Sequence, residues 1–342
     1  MSRVYVGMSG GVDSSLSAAL LKEQGHDVVG VYMKNWTEDL PGMRCPWADD
    51  LADAKRVAVQ LGIPLKVYDF QTEYKHFVVD YMIEEYKAGR TPNPDIMCNQ
   101  EVKFKLFFDA ARKDGADMIA TGHYAATHDG RLFQAADPQK DQTYFLYRVT
   151  HDALARTLFP LGAMKKTEVR AAAAQRGLTT ASKKDSQGIC FVGSVGIKDF
   201  LSQYVETVHG AVIDKATGDV VGEHEGAIFY TLGQRHGLNV GGGLPYYVVG
   251  KDMKKNEVYV SRSLEDAALW REQITLTNLH WIDAEPNDGA KLLARLRHRG
   301  PLVEVTLRGA TLEFEHPERA ATPGQSVVLY DGEECLGGGF IV

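Results

Sequence analysis

Long apolar runs are missing from this sequence, and no stretch approaches the roughly 18 residues that a membrane span needs. The chain does not open on a basic stretch followed by an apolar core either. It enters at once a strand-like run, Val4-Tyr5-Val6-Gly7-Met8, so neither a secretory signal nor an Arg-rich transit peptide is predicted. The expectation is a cytoplasmic protein with no membrane partner. Cysteine is scarce as well: the four residues Cys45, Cys98, Cys190 and Cys335 lie far apart with no C-x-x-C, which argues against a zinc ribbon or a disulfide framework. Basic charge is in overall deficit, net −7, so the chain as a whole does not read as a nucleic-acid binder. The deficit is uneven. Between Lys140 and Cys190 nine Lys/Arg stand against four Asp/Glu, a local +5 that leaves −12 for the rest, and such a face suits a polyanion or is simply a solvated helix surface.

What is present is an ordinary globular balance of 44 % apolar and 24 % charged residues, which excludes global disorder. The length of 342 residues allows two or three domains. Short β-branched runs at 4–8, 27–33, 65–70 and 117–121 alternate with helical patterns at 14–24, 49–61, 73–88 and 102–114. Gly25, Gly62, Gly89 and Gly115 follow those helices as stop signals. The alternation predicts an α/β fold, a doubly wound, mostly parallel sheet covered on both faces. Near residue 205 the pattern changes to Gly-rich turns and short strands at 211–213, 227–231, 246–249 and 258–260. From about 270 strands recur at short spacing, as in a small β-barrel. The predicted organisation is a catalytic domain over 1–204, a small central β-rich domain over 205–268 and a C-terminal β-barrel over 269–342.

Ser9-Gly10-Gly11-Val12-Asp13-Ser14-Ser15 follows the first strand and opens the first helix. Two glycines let backbone approach a phosphate, and hydroxyls and unpaired helix N–H groups donate to it. No Lys follows the second Gly and no G-x-G-x-x-G occurs, so neither a P-loop nor a dinucleotide fingerprint is present. The run resembles the S-G-G-x-D-S loop of the N-type ATP pyrophosphatases, which cleave ATP to AMP and pyrophosphate. Gly7, Met8, Ser9, Gly10, Gly11, Val12, Asp13 and Ser14 become candidate ATP contacts. Asp13 is also a candidate Mg²⁺ ligand or, alternatively, a helix-capping side chain. Met33 and Gly122, at the ends of the second and fourth strands, fit the carboxyl edge where such sheets take ligands.

Cys98 follows Pro92-Asn93-Pro94-Asp95, and the two prolines predict an extended stretch with a helix starting at Cys98 or Asn99. A thiol at a helix start near Lys103 and Lys105 is activated as a nucleophile. Cys190 sits in a second electropositive turn after Lys183-Lys184, whereas Cys45 and Cys335 lack such settings and read as buried hydrophobes. Two reactive thiols in an adenylating domain suggest sulfur chemistry, one carrying a persulfide that the other resolves. An amide-forming ligase with the same loop, or a thiolase for another base, is the alternative.

The strings Gly7-Met8-Ser9-Gly10-Gly11-Val12-Asp13-Ser14, Pro92-Asn93-Pro94-Asp95 with Cys98-Asn99, Thr121-Gly122-His123-Tyr124, Lys140-Asp141-Gln142-Thr143-Tyr144, Asp185-Ser186-Gln187-Gly188-Ile189-Cys190-Phe191 and Leu232-Gly233-Gln234-Arg235 occur in one order. In that order the whole chain resembles the tRNA-specific 2-thiouridylases, the MnmA family. The resemblance implies ATP-dependent 2-thiolation of the wobble uridine of tRNA, with ATP and Mg²⁺ as cofactors and a persulfide-carrying protein as sulfur donor. It implies Cys98 as nucleophile and Cys190 as persulfide carrier. Asn93, Pro94 and Asp95 would contact the target base, Asp95 orienting it or handling a proton. Lys140, Asp141 and Gln142 would contact tRNA, as would Arg297 and His298, the histidine more by charge than by stacking. In Arg295-Leu296-Arg297-His298-Arg299 a strand-like alternation sends all three Arg to one face, suited to phosphates or to a solvated edge strand.

Overall fold

The computed structural model describes residues 1–39, 45–185, 196–238, 240–241, 245–319 and 321–342. Among them the strands form three sheets. The first joins β1 (Arg3–Gly7), β2 (Asp27–Lys34), β3 (Leu65–Asp69), β4 (Met118–Ala120) and β7 (Thr157–Leu158) in the order β3-β2-β1-β4-β7, all parallel. Alternate residues of each strand enter different cores. Val4, Val6, Val28 and Ala120 pack with α1 (Val12–Glu23), α2 (Trp47–Leu61) and the helix Lys166–Gln175. Tyr5, Val29, Val31 and Ile119 pack with Met82, Val102 and Phe107 on the opposite face. Burial on both faces is why these strands read as unbroken apolar runs, and it makes the sheet doubly wound as expected.

The second sheet holds β8 (Gly210–Asp214), β9 (Val220–His224), β10 (Tyr247–Asp252) and β11 (Glu257–Ser261) in the order β10-β11-β8-β9. The strand expected at 227–231 is instead a single 3₁₀ turn, Ala227–Phe229, entered through Gly226 at φ 149°. The third sheet runs β12 (Trp270–Trp281), β15 (Thr311–Arg319), β14 (Leu302–Arg308), β13 (Lys291–Arg295), β16 (Ser326–Asp331), β17 (Glu334–Ile341), and pairing of β12 with β17 closes it into a six-stranded antiparallel barrel. The hairpin β5 (Ala126–His128) and β6 (Arg131–Phe133) leaves the first domain and adds to β17, with Phe133 opposite Glu334. No described helix is long and apolar enough to cross a membrane.

One helix starts earlier than its sequence suggests. The turn Pro94–Met97 is already α-helical, and Asn93 Oδ1 caps it by accepting from Asp95 N–H at 3.1 Å. Proline at the first helical position loses only an N–H that had no partner anyway, so Pro94 starts the helix rather than delaying it. Wide π-type turns follow over Cys98–Leu106, then α-helix over Phe107–Lys113. Cys98 therefore lies a turn inside the helix, 3 % exposed, and the helix-start argument for activating its thiol does not apply.

Candidate functional site

A cleft of about 380 Å³ opens at the carboxyl ends of β1, β2 and β4. Its floor is the turn between β1 and α1. Gly10 has φ +74°, and a Cβ there would stand 2.3 Å from the Asp50 carbonyl oxygen, so the position accepts only glycine. Ser14 Oγ accepts from Ser9 N–H at 3.2 Å, and Ser15 Oγ donates to Gly11 O at 2.7 Å, which stiffens the loop. Gly11 caps α1 without any side-chain bond, leaving the first helical N–H groups turned toward the cleft end of the helix dipole. Gly122 lets β4 approach: a Cβ there would lie 2.7 Å from Ser14 N.

Gly7, Ser9, Gly11, Val12, Asp13, Ser14, Met33 and Gly122 line the cleft. Met8 is wholly buried in the core beneath the loop, and Gly10 packs against Asp50 rather than facing the opening. Asp13 is already engaged. Lys166 Nζ donates to both its oxygens at 2.7 and 2.8 Å, and Tyr124 O–H donates to one at 2.8 Å. Lys166 also meets Asp185 at 2.9 Å, as does Lys140, while Arg170 reaches it at 2.7 Å. Burial pushes the Asp185 carboxyl up, yet the bonds from Lys166 and Lys140 outweigh it and hold the group at about 2. Lys103, Lys183 and Lys184 add further cations to the lining, Lys183 tied to Asp50 and Asp53 at 2.7 and 2.6 Å. With Lys140, Lys166 and Arg299, six cations line the cleft against the three carboxylates Asp13, Asp50 and Asp185.

In the sequence Lys166 reads only as one charge in a basic stretch. Its sole local mark is a cation at the first residue of the helix Lys166–Gln175, against the helix dipole, and residues that break a local rule are often functional. His123 also enters the lining. Its ring lies 5.7 Å from Phe104 and 6.2 Å from Phe159, and Nδ1 shares a hydrogen bond of 2.8 Å with Thr121 Oγ1. Burial, with Lys103 adding to it, holds this imidazole well below its ordinary pKa and keeps it neutral.

Asp95 is half-buried, and that burial raises its carboxyl pKa against the pull of Lys103. Cys98 lies outside the cleft lining, and Cys190 falls in 186–195, outside the described residues. Cys45 and Cys335 are buried, with burial raising both thiol pKa values, as structural cysteines should be.

Of the RNA candidates, Lys140 and Gln142 line the cleft, and Gln142 Oε1 accepts from Tyr124 N–H at 2.9 Å. Asp141 is 3 % exposed and spent inside the protein. It accepts from Ala135 N–H at 3.1 Å, Thr143 Oγ1 at 2.7 Å and Arg295 at 3.0 Å. The three Arg do not share a face, because β13 ends at Arg295, which turns inward to that pair, while Arg297 and Arg299 lie in the turn beyond. His298 also departs from expectation. Its ring packs 4.4 Å from Phe145, and burial, with Arg299 and Arg295 nearby, lowers its pKa to about 4, so it is neutral at physiological pH and offers a ring rather than a charge.

Among the described residues no cluster of three or more His, Cys, Asp or Glu could hold a metal alone. Asp13 suits a cation that arrives with phosphates, since Mg²⁺ is commonly held by one or two carboxylates plus phosphate oxygens.

A doubly wound parallel sheet with a glycine-rich strand-to-helix loop at its carboxyl edge, followed by a small sheet and a closed barrel, defines an α/β class with appended β domains. Residues 2–194 match the family model of the tRNA methyl transferase HUP domain, 198–262 that of the tRNA methyl transferase PRC-barrel domain, and 271–341 that of the aminomethyltransferase beta-barrel domain. The chain is 48 % identical over 351 residues to tRNA-specific 2-thiouridylase MnmA 2 of Geobacillus kaustophilus, spanning 99 % of this chain and 94 % of that one. It is 47 % identical over 352 residues to tRNA-specific 2-thiouridylase MnmA of Bacillus subtilis, spanning 99 % and 95 %. A solved 4-thiouridine synthetase–RNA complex with bound ATP aligns at 18 % identity and TM-score 0.39, over 59 % of this chain and 50 % of the other. The chain belongs to the tRNA-specific 2-thiouridylase (MnmA) family.

Proposed function

We propose that this protein is a cytoplasmic tRNA sulfurtransferase that replaces the 2-oxygen of the wobble uridine by sulfur at the expense of ATP. The observation that carries the reading is full-length similarity to 2-thiouridylases together with a polycationic cleft around an S-G-G-V-D-S loop. A uracil carbonyl oxygen is a poor leaving group. Transfer of AMP from ATP to that oxygen forms an O–P bond and releases pyrophosphate. The loop N–H groups and the cleft lysines would stabilise the charge that develops on the departing pyrophosphate. Asp13 would hold Mg²⁺ with the phosphates once Lys166 yields it, the cation supplying charge neutralisation there.

Sulfur then enters at C2, the C2–O bond breaks and AMP leaves. In this reading the outer sulfur of a persulfide on Cys190, loaded by a donor protein, bonds to C2; the Cys98 thiolate attacks Cys190 Sγ, the persulfide S–S bond breaks and the outer sulfur stays on the base. The Cys98–Cys190 disulfide that results must be reduced by an external thiol before the next turnover. Asn93, Pro94 and Asp95, at the start of the helical segment that carries Cys98 one turn further on, would meet the target base, and the raised pKa of Asp95 suits a group that handles a proton. A loop base is weakly stacked, so drawing it into a cleft costs little. Lys140, Gln142 and Arg297 would grip tRNA directly. Asp141 would act through Arg295, and His298 through its ring.

Nucleoside mass analysis of tRNA incubated with the protein, ATP, Mg²⁺ and a persulfide donor tests this. It should yield 2-thiouridine at the wobble position. Its absence, or a methylated nucleoside in its place, would refute the proposal.

A further inference from the structure

The turn that follows β13 brings the barrel to the nucleotide cleft. Gly300 N–H donates to Arg297 O at 2.9 Å and closes the turn tightly enough that a Cβ on Gly300 would stand 2.9 Å from Arg297 Cγ. Within it His298 and Arg299 have different fates. His298 packs on Phe145 and Tyr144 of the helix Thr143–Leu146, which belongs to the nucleotide domain. Arg299 is exposed and has φ +60°, a conformation that costs a residue with a Cβ about 1 kcal/mol and persists only where its surroundings impose it. The docked His298 ring is such a constraint.

Arg299 thereby lines two adjoining cavities. One is the nucleotide cleft; the other is a notch of about 350 Å³ bounded by Pro138, Gln139, Lys140, Arg295, Arg299 and Gly300. Three cations and no carboxylate line the notch. Lys140 is matched by Asp185, and Arg295 by Asp141. Arg299 has neither an ion pair nor a hydrogen bond with any described residue, and Arg295 Nε is buried without a hydrogen-bond acceptor among them. Lys140 and Arg299 border both cavities and so stand at their junction. An uncommitted guanidinium beside an ammonium is a donor set that a tetrahedral oxyanion satisfies.

We propose that this notch is a phosphate site in which Arg299 is the principal ligand, assembled only when the barrel is docked on the nucleotide domain. The inference rests on the reading that the chain handles ATP and tRNA, and the phosphate belongs either to the nucleotide or to the RNA backbone. Arg299→Gly is the informative variant, because glycine accepts φ +60° and the guanidinium is lost without backbone strain. Its melting temperature should be no lower than that of the unaltered protein.

Both proteins are titrated calorimetrically with ATP, AMP and inorganic pyrophosphate, and with unmodified tRNA across a salt series. If the phosphate is the RNA's, the slope of log affinity against log salt falls by about one while ATP affinity holds. If it is the nucleotide's, ATP and pyrophosphate bind roughly tenfold more weakly, AMP is little changed and the tRNA slope is unaltered. Arg299→Lys should recover part of whichever loss is seen, because it keeps the charge but not the fork. Wild-type affinity for ATP, pyrophosphate and tRNA with an unaltered salt slope in Arg299→Gly overturns the proposal. Should the unaltered protein bind neither ATP nor tRNA, the functional reading falls, and equal pyrophosphate binding by the two proteins then overturns the notch as well.

Discussion

Asp185 gathers Lys166, Lys140 and Arg170 around one carboxylate, and Lys166 in turn spans to Asp13. Its folded pKa of about 2 lies below the ordinary carboxylate value, so the folded state favours the ionised form. The stabilisation is fully present above about pH 4 and is lost as pH falls through about 2. After allowance for solvent screening it amounts to about 1–2 kcal/mol. Asp185→Asn should lower unfolding free energy by that amount at pH 7, with the gap to the unaltered protein closing near pH 2 in urea titrations. His298 works in another window. Its folded pKa of about 4 is below that of an unfolded histidine, so the unfolded chain takes up a proton first as pH falls from about 6.5 to 4, and stability declines across that range. His298→Phe, which keeps a ring against Phe145, should flatten the fall of melting temperature with pH over the same interval. An unchanged slope would show that the histidine is not held neutral.

At the scale of single elements, the conformation of the loop between β1 and α1 was the most legible part of the sequence, since two glycines between a strand and a helix admit few conformations. Gly10 shows why: its φ of +74° and the 2.3 Å approach to Asp50 both forbid a side chain. Gly10→Ala should cost about 1–3 kcal/mol in stability and abolish ATP binding by calorimetry, whereas retained binding would mean that the loop adapts. The helix bearing Cys98 begins earlier than the sequence suggests because Pro94 is not a barrier to it. Its place at the first helical position, with Asn93 as cap, makes it a starter, and π turns leave no period that a sequence pattern reveals. The inward course of Arg295 was hidden for a related reason: alternation predicts faces only while a strand continues, and β13 stops there.

At the scale of the whole molecule, the change of pattern from alternating α/β to short strands marked where the sheets differ, but not how they are joined. The join is non-local. β6 adds to β17, Arg131 pairs with Glu334, and Arg295 of the barrel enters the first domain to meet Asp141. None of these contacts leaves a local periodicity, so none was legible. The Asp141–Arg295 pair is the most buried of them, with side chains 2 % and 12 % exposed. Removing one partner of a buried pair strands the other charge, at a cost of about 3–5 kcal/mol. Arg295→Met should therefore destabilise the protein by that order, and adding Asp141→Asn should restore part of the loss, a coupling that a double-mutant cycle measures. Because the pair spans two units, its loss should also uncouple them. Trp36 and Trp47 lie in the first domain, while Trp270 and Trp281 lie on β12 of the barrel, so fluorescence during urea unfolding reports on both. The unaltered protein should unfold in one transition and Arg295→Met in two, the barrel and the parallel sheet separating. A single transition in the variant, at an unshifted midpoint, would mean that the β6–β17 pairing and the packing of Tyr144, Leu146 and Tyr147 against Val328, Tyr330 and Cys335 hold the two together without the ion pair.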